Sequence, residues 1–243
     1  MAQLQDKVAI VTGGGSGIGK GIARAFAQEG CAVVLAGRTV PRLNAAAMEL
    51  SLTGADAIAI PTDVTDEAQV VALFKATMDR FGRLDILVNS AGAFDGGPIE
   101  ELSLQAWNNV IGACLTGPFL CTREAFKIMK PAGGGRIINI GSISAQRSRV
   151  NAAPYTSSKF GVWGLTQSAA LEGRAYGISV GALHPGNTLV ERRAASGKTS
   201  DDEPMIATSE MARVALLMAT LPPEANMLEA IVLPVEQLYV GRG

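Results

Sequence analysis

Histidine and cysteine are scarce in this chain of 243 residues, which holds one histidine, His184, and three cysteines, Cys31, Cys114 and Cys121. A single histidine excludes a histidine-rich metal site. The cysteines are odd in number and scattered, with no CxxC, which argues against a disulfide framework or structural zinc, so no metal is expected. A Ser-His-Asp triad would have to use His184, which stands before Pro185-Gly186 at the end of an expected strand and reads as structural or cofactor-facing. Charge is also sparse: 18% of residues are charged, the net charge is −1 and there is no basic block. Nucleic acid is therefore a poor partner. No run approaches the roughly 20 apolar residues that cross a bilayer. Met1 to Lys7 lacks the basic and apolar regions of a signal peptide. No membrane partner is expected, and a reducing cytoplasm is the expected compartment.

What is abundant is apolar material, at 48% of residues, enough for one large core and one domain over residues 1–243. Short, nearly continuous apolar runs alternate with helical spacing. Lys7–Thr12, Cys31–Ala36, Asp56–Ile60, Leu84–Asn89, Arg136–Ile140 and Ile178–Leu183 read as strands buried on both faces, with Met227–Leu233 as a seventh. Helices are expected over Ile18–Gln28, Arg42–Ser51, Asp66–Phe81, Leu104–Lys130, Pro154–Tyr176 and Ser209–Thr220, with Thr65, Ser103 and Thr208 as candidate caps. This alternation predicts an α/β fold: one doubly wound parallel sheet of about seven strands, Rossmann-like, with helices on both faces. The polar stretch at about 187–207 is long for a connection and is expected to be a substrate-binding loop or lid.

The first strand runs into Thr12-Gly13-Gly14-Gly15-Ser16-Gly17-Ile18-Gly19, and a helix follows. Glycines let backbone N–H groups approach a pyrophosphate, and the helix N-terminus adds partial positive charge. An acid some 20 residues on marks NAD specificity. Here no Asp or Glu occurs from Cys31 to Met48. Arg38, with Ser16, suits a 2′-phosphate instead, so NADP is the expected cofactor.

Tyr155 and Lys159 are four residues apart on a helix and share one face. A neighbouring ammonium favours the phenolate, which suits general acid/base chemistry. Ser142, ending the strand before, is placed to hydrogen-bond a substrate oxygen. The Tyr-Lys spacing alone is common; the order of the parts gives it weight.

In that order the chain resembles the short-chain dehydrogenase/reductase family. The matches are TGGGSGIG at Thr12–Gly19, TDV at Thr62–Val64, NSAG at Asn89–Gly92, the serine of INIGS at Ile138–Ser142, YTSSK at Tyr155–Lys159, and HPG at His184–Gly186. The resemblance implies catalysis by Ser142, Tyr155 and Lys159. It implies that Gly13, Gly15, Ser16, Gly17, Ile18, Gly19 and Arg38 bind the phosphates. Asp63 and Val64 would border the adenine, and Asn89, Ala91 and Gly92 the ribose side. Lys159 would touch the nicotinamide ribose, beside Tyr155, while Pro185, Gly186 and Thr188 approach the nicotinamide. The implied activity is NADP(H)-dependent interconversion of a carbonyl and an alcohol, in a homodimer or homotetramer.

Two departures stand out. Cys114 replaces the asparagine through which members link the lysine to solvent, and a thiol is a poor substitute. Cys114 reads as a buried small residue rather than a reactive thiol. The ending Ala230–Val240 lacks the usual glycine-rich tail, which makes a dimer as plausible as a tetramer. The alternatives are a cofactor-binding regulator of low activity, or a lyase or epimerase using the same site. Phe94, Ser144, Gln146, Ala152 and parts of Thr188–Ala207 are expected to line the substrate pocket. Arg147, Arg149, Arg192 and Arg193 are candidates for an anionic substrate.

Overall fold

A computed structural model of the chain describes residues 2–191 and 204–239. Seven strands form one parallel sheet: β1 (Val8–Thr12), β2 (Ala32–Gly37), β3 (Ala57–Pro61), β4 (Ile86–Asn89), β5 (Gly135–Ile140), β6 (Ile178–Pro185) and β9 (Glu229–Val232). Their order is β3-β2-β1-β4-β5-β6-β9, and every pairing is parallel. Two short strands, β7 (Thr188–Leu189) and β8 (Ile206–Ala207), pair separately. Part of the expected substrate loop is thus extended and paired. Arg192 and Arg193 lie outside the described residues.

The continuous apolar character of the strands has a direct cause. Side chains alternate faces along a strand, and both faces are covered. Ala9, Val11, Val33, Leu35 and Ile86 enter one core with α1 (Gly17–Gln28), α2 (Val40–Ser51) and α7 (Thr208–Thr220). Ile10, Val34, Ala36 and Leu87 enter the other, with α3 (Glu67–Phe81), α5 (Gly117–Ala132) and α6 (Ala153–Gly173). Ordering reverses at β1, so β2 and β4 flank it and diverging connections open a crevice at the strands' carboxyl ends.

Helix ends correct two of the expected caps. Ser103 caps α4 (Leu104–Ile111), accepting from the Ala106 N–H at 3.1 Å. For α3 the cap is Asp66, which accepts from Gln69 N–H at 3.2 Å. Thr65 is turned instead to Asp63, to which its hydroxyl donates at 2.8 Å. Thr208 is the first residue of α7 rather than its cap.

The helix expected over Leu104–Lys130 is broken. A π-helical turn, Gly112–Thr116, separates α4 from α5. Pro118 lacks the N–H that would bond the Cys114 carbonyl four residues back, so regular winding cannot run through this point. Gly117 is also pressed against Val64, where a Cβ would sit 2.6 Å from a methyl carbon. Such turns often mark functional sites, and this one carries Cys114.

Candidate active site

The glycine turn between β1 and α1 is built by close backbone approach. Gly13 has φ +68° and Gly17 φ +56°. A Cβ on Gly19 would lie 2.6 Å from the Gly13 carbonyl oxygen. The Thr12 hydroxyl accepts from the N–H groups of Ser90 and Ala91, both at 3.0 Å, and so ties the end of β4 to the turn. The first turn of α1 carries no acidic residue, which leaves its positive end for an anion. One carboxylate does reach it from a distance: Glu191 accepts from the Gly17 N–H at 2.8 Å.

Two clefts meet at this turn. The larger, of about 830 Å³, holds Gly13, Ser16, Gly17, Ile18 and Gly19 at one end. Ser142, Tyr155 and Lys159 lie along it, with Ala91, Gly92, Pro185, Gly186 and Thr188 between. The smaller, of about 230 Å³, is bordered by Gly15, Ser16, Arg38, Asp63 and Val64. Arg38 and Arg42 both border it, and neither forms an ion pair among the described residues. The position before Arg38 is Gly37, at the end of β2, where an acid would have opposed a phosphate.

One expected cofactor residue is placed elsewhere. Asn89 borders neither cleft. It is buried behind the site, donating to Asn139 Oδ1 at 2.8 Å and Thr122 Oγ1 at 3.2 Å. As the last residue of β4 its side chain points into the sheet–helix layer, and Ser90 borders the cleft in its stead. Of the expected pocket residues, Phe94, Ser144 and Arg149 border the larger cleft, whereas Gln146, Arg147 and Ala152 do not.

In the reactive half, α6 brings Tyr155 and Lys159 to one face. Lys159 is buried and donates to the Ile140 carbonyl, the end of β5, at 2.8 Å. Its Nζ lies 5.5 Å from the Tyr155 ring centre. Tyr155 is half-buried, with Phe94 edge-on to its ring at 5.2 Å. The Ser142 hydroxyl accepts from the Ser144 N–H at 3.1 Å, which leaves its own proton available to a substrate oxygen.

Cys114 is buried and bridges one residue. It accepts from the Ala93 N–H at 3.3 Å and donates to the Ala93 carbonyl at 3.2 Å. The thiol thereby fixes the stretch after β4 that borders the cleft. Burial pushes the Cys31 and Cys121 thiols up to about 12, which makes them unreactive packing residues. Among the described residues no cluster of histidine, cysteine or carboxylate side chains is arranged to hold a metal.

The sequence pattern of short chain dehydrogenases matches residues 7–201, and the chain belongs to that family of oxidoreductases. The short chain dehydrogenase/reductase astE of Aspergillus oryzae is 39% identical over 225 residues, 91% of this chain and 85% of its own. Among solved structures, a variant actinorhodin polyketide ketoreductase with NADPH superimposes with a TM-score of 0.88 at 32% identity, covering 96% of this chain and 98% of that one. A metagenomic short-chain oxidoreductase in complex with NADP gives 0.85 at 31% identity, covering 97% and 100%.

Proposed function

We propose that the chain is an NADP(H)-dependent oxidoreductase that interconverts a carbonyl and an alcohol. The observation that carries this reading is convergence: the glycine turn and the Ser142, Tyr155 and Lys159 side chains border one continuous cleft. The turn fits a dinucleotide, because Gly13 and Gly19 let it wind so tightly that a Cβ on either would meet a backbone oxygen, at 2.9 and 2.6 Å. Arg38 and Arg42 beside Ser16 fit a 2′-phosphate, and the ketoreductase and the metagenomic oxidoreductase were solved with NADPH and NADP.

When bound, the nicotinamide supplies or takes the hydride. The remaining work is done by the protein. Ser142 donates to the substrate oxygen and orients it. Tyr155 delivers a proton to that oxygen in reduction and removes it in oxidation. Lys159, held by the Ile140 carbonyl, keeps its Nζ beside the phenol, 5.5 Å from the ring centre. Phe94 screens the tyrosine from water on one side. Glu191 must leave Gly17 when phosphate arrives, since two anions cannot share one donor cheaply.

Phe119 and Phe160 are exposed large apolar residues on α5 and α6, and support a homodimer or homotetramer built through these helices. Three free cysteines support a reducing compartment such as the cytoplasm.

The test is nicotinamide absorbance with purified protein, NADPH or NADH, and a panel of small carbonyl compounds. Steady loss with NADPH at a rate well above that with NADH supports the reading. Preference for NADH overturns the cofactor assignment, and no turnover with any carbonyl or alcohol overturns the reaction.

A further inference from the structure

Pro185 is the last residue of β6, and its pairing with Val232 is the last rung between β6 and β9. The next three residues, Gly186, Asn187 and Thr188, border the larger cleft between the glycine turn and Tyr155. A chain that leaves a sheet must still find partners for its buried backbone groups. The Gly186 N–H donates to the Val232 carbonyl at 2.8 Å, and the Asn187 carbonyl accepts from the Ile206 N–H at 3.0 Å. The Asn187 N–H donates to a side chain instead: Gln237 Oε1, at 2.8 Å.

Gln237 follows β9 and is buried, at 7% exposure. It borders neither cleft. Its own N–H closes a turn on the Pro234 carbonyl at 3.0 Å. The side-chain oxygen then lies against Gly186, where a Cβ would sit 2.3 Å from it. A larger residue at 186 would push that oxygen off the Asn187 N–H. Two residues further on, the Tyr239 hydroxyl donates to Gln146, and Gln146 donates to Glu229 on β9. The segment 233–239 is therefore fastened on both sides of Gln237. A long polar side chain loses rotamer freedom and hydration when it is buried. Here that cost is offset at a backbone amide of the cleft wall.

We infer that Gln237 is a positioning residue: its amide oxygen holds the Asn187 N–H, and so holds the Gly186–Thr188 wall where the nicotinamide half of the cofactor passes. This rests on the reading that the glycine turn holds a dinucleotide whose reactive end reaches Tyr155. Without the acceptor, the buried Asn187 N–H is left unpaired, and the wall moves to regain a partner. Cofactor binding must then restore the wall, and affinity falls by the fraction of molecules that have left it. The glycine turn and Arg38 lie at the other end of the dinucleotide and are untouched by this loss.

The test is Gln237→Met in the full chain, which removes the acceptor and keeps the length of the side chain. Two ligands are titrated: NADPH, and 2′-phospho-ADP-ribose, which has the phosphates but no nicotinamide. NADPH affinity is expected to fall about tenfold, with 2′-phospho-ADP-ribose bound as by the parent, and kcat to fall about tenfold. Backbone hydrogen exchange without cofactor should find the Asn187 N–H protected in the parent and exposed in the variant. Equal losses for the two ligands would mean a general structural role and would overturn the proposal. So would parent-like NADPH binding and kcat, or an unprotected Asn187 N–H in the parent. Should Gln237→Met fail to fold, Gly186→Ala carries the test, since its Cβ displaces the Gln237 oxygen. The same split between the ligands is expected, and parent-like binding and kcat overturn the proposal. A parent chain that binds neither ligand removes the reading of the site as well. A parent that binds both, beside an unaltered Gln237→Met, removes only the positioning role.

Discussion

The two ends of the larger cleft are built from different materials. The end at β1 and α1 is made of backbone: glycines at positive φ, the Gly17 amide that donates to Glu191, and one hydroxyl, Thr12, pinning two neighbouring amides. The end at β5 and α6 is made of side chains, each held by a contact from a remote part of the chain. Lys159 is held by Ile140, Tyr155 by Phe94, and the Ser142 main chain meets His184. A backbone site tolerates little added volume but resists single polar losses. A side-chain site does the reverse.

That contrast can be broken by matched substitutions. The largest effect is expected from Lys159→Met, which keeps the volume and removes the charge. Turnover should fall by about a thousandfold. The Ile140 carbonyl loses its donor, which should cost about 1–3 kcal/mol of stability in a denaturant melt. A variant within tenfold of the parent would deny the lysine a chemical role. At the backbone end, Gly19→Ala should act through space rather than chemistry. Its Cβ meets the Gly13 carbonyl at 2.6 Å, so NADPH binding and thermal stability should fall together, the latter by about 1–3 kcal/mol. Loss of turnover with binding intact would contradict the division.

Next in size is Arg38→Ala. A lost charge-assisted pair predicts about ten- to a hundredfold weaker NADPH binding, by fluorescence titration, with NADH unaffected. Equal loss for both cofactors would place Arg38 outside the 2′-phosphate site. The smallest expected effect is a gain. Glu191→Gln removes the negative charge that rests on Gly17, so NADPH affinity should rise about two- to fivefold. Weaker binding would mean that Glu191 helps the cofactor rather than competes with it.

The same contrast explains what the sequence disclosed. Backbone features leave marks in composition, because only glycine fits at Gly13 and Gly19. The cradle, the strand alternation and the missing acid near Arg38 could therefore be read from residues alone. Asn89 lines neither cleft, and its position in the NSAG motif does not say which way a strand's last side chain turns. The break at Gly112–Thr116 depended on Pro118 and on Gly117 meeting Val64, a contact 53 residues away in the chain. Gln237 carried no local signal at all. It sits 50 residues beyond Asn187, and only the pairing of β6 with β9 brings them together. Cys114 shows an intermediate case. Its identity marked a departure, but its grip on both backbone groups of Ala93 needed the fold.

On the proposed reading, Tyr155 moves the proton at one end of the cleft while the other end holds the cofactor independently. Tyr155→Phe tests it most directly, with NADPH affinity and carbonyl reduction measured on the same preparation. The expected result is turnover lowered by about a thousandfold or more, with NADPH bound as tightly as by the parent chain. Turnover within a few fold of the parent, at equal cofactor affinity, would contradict it.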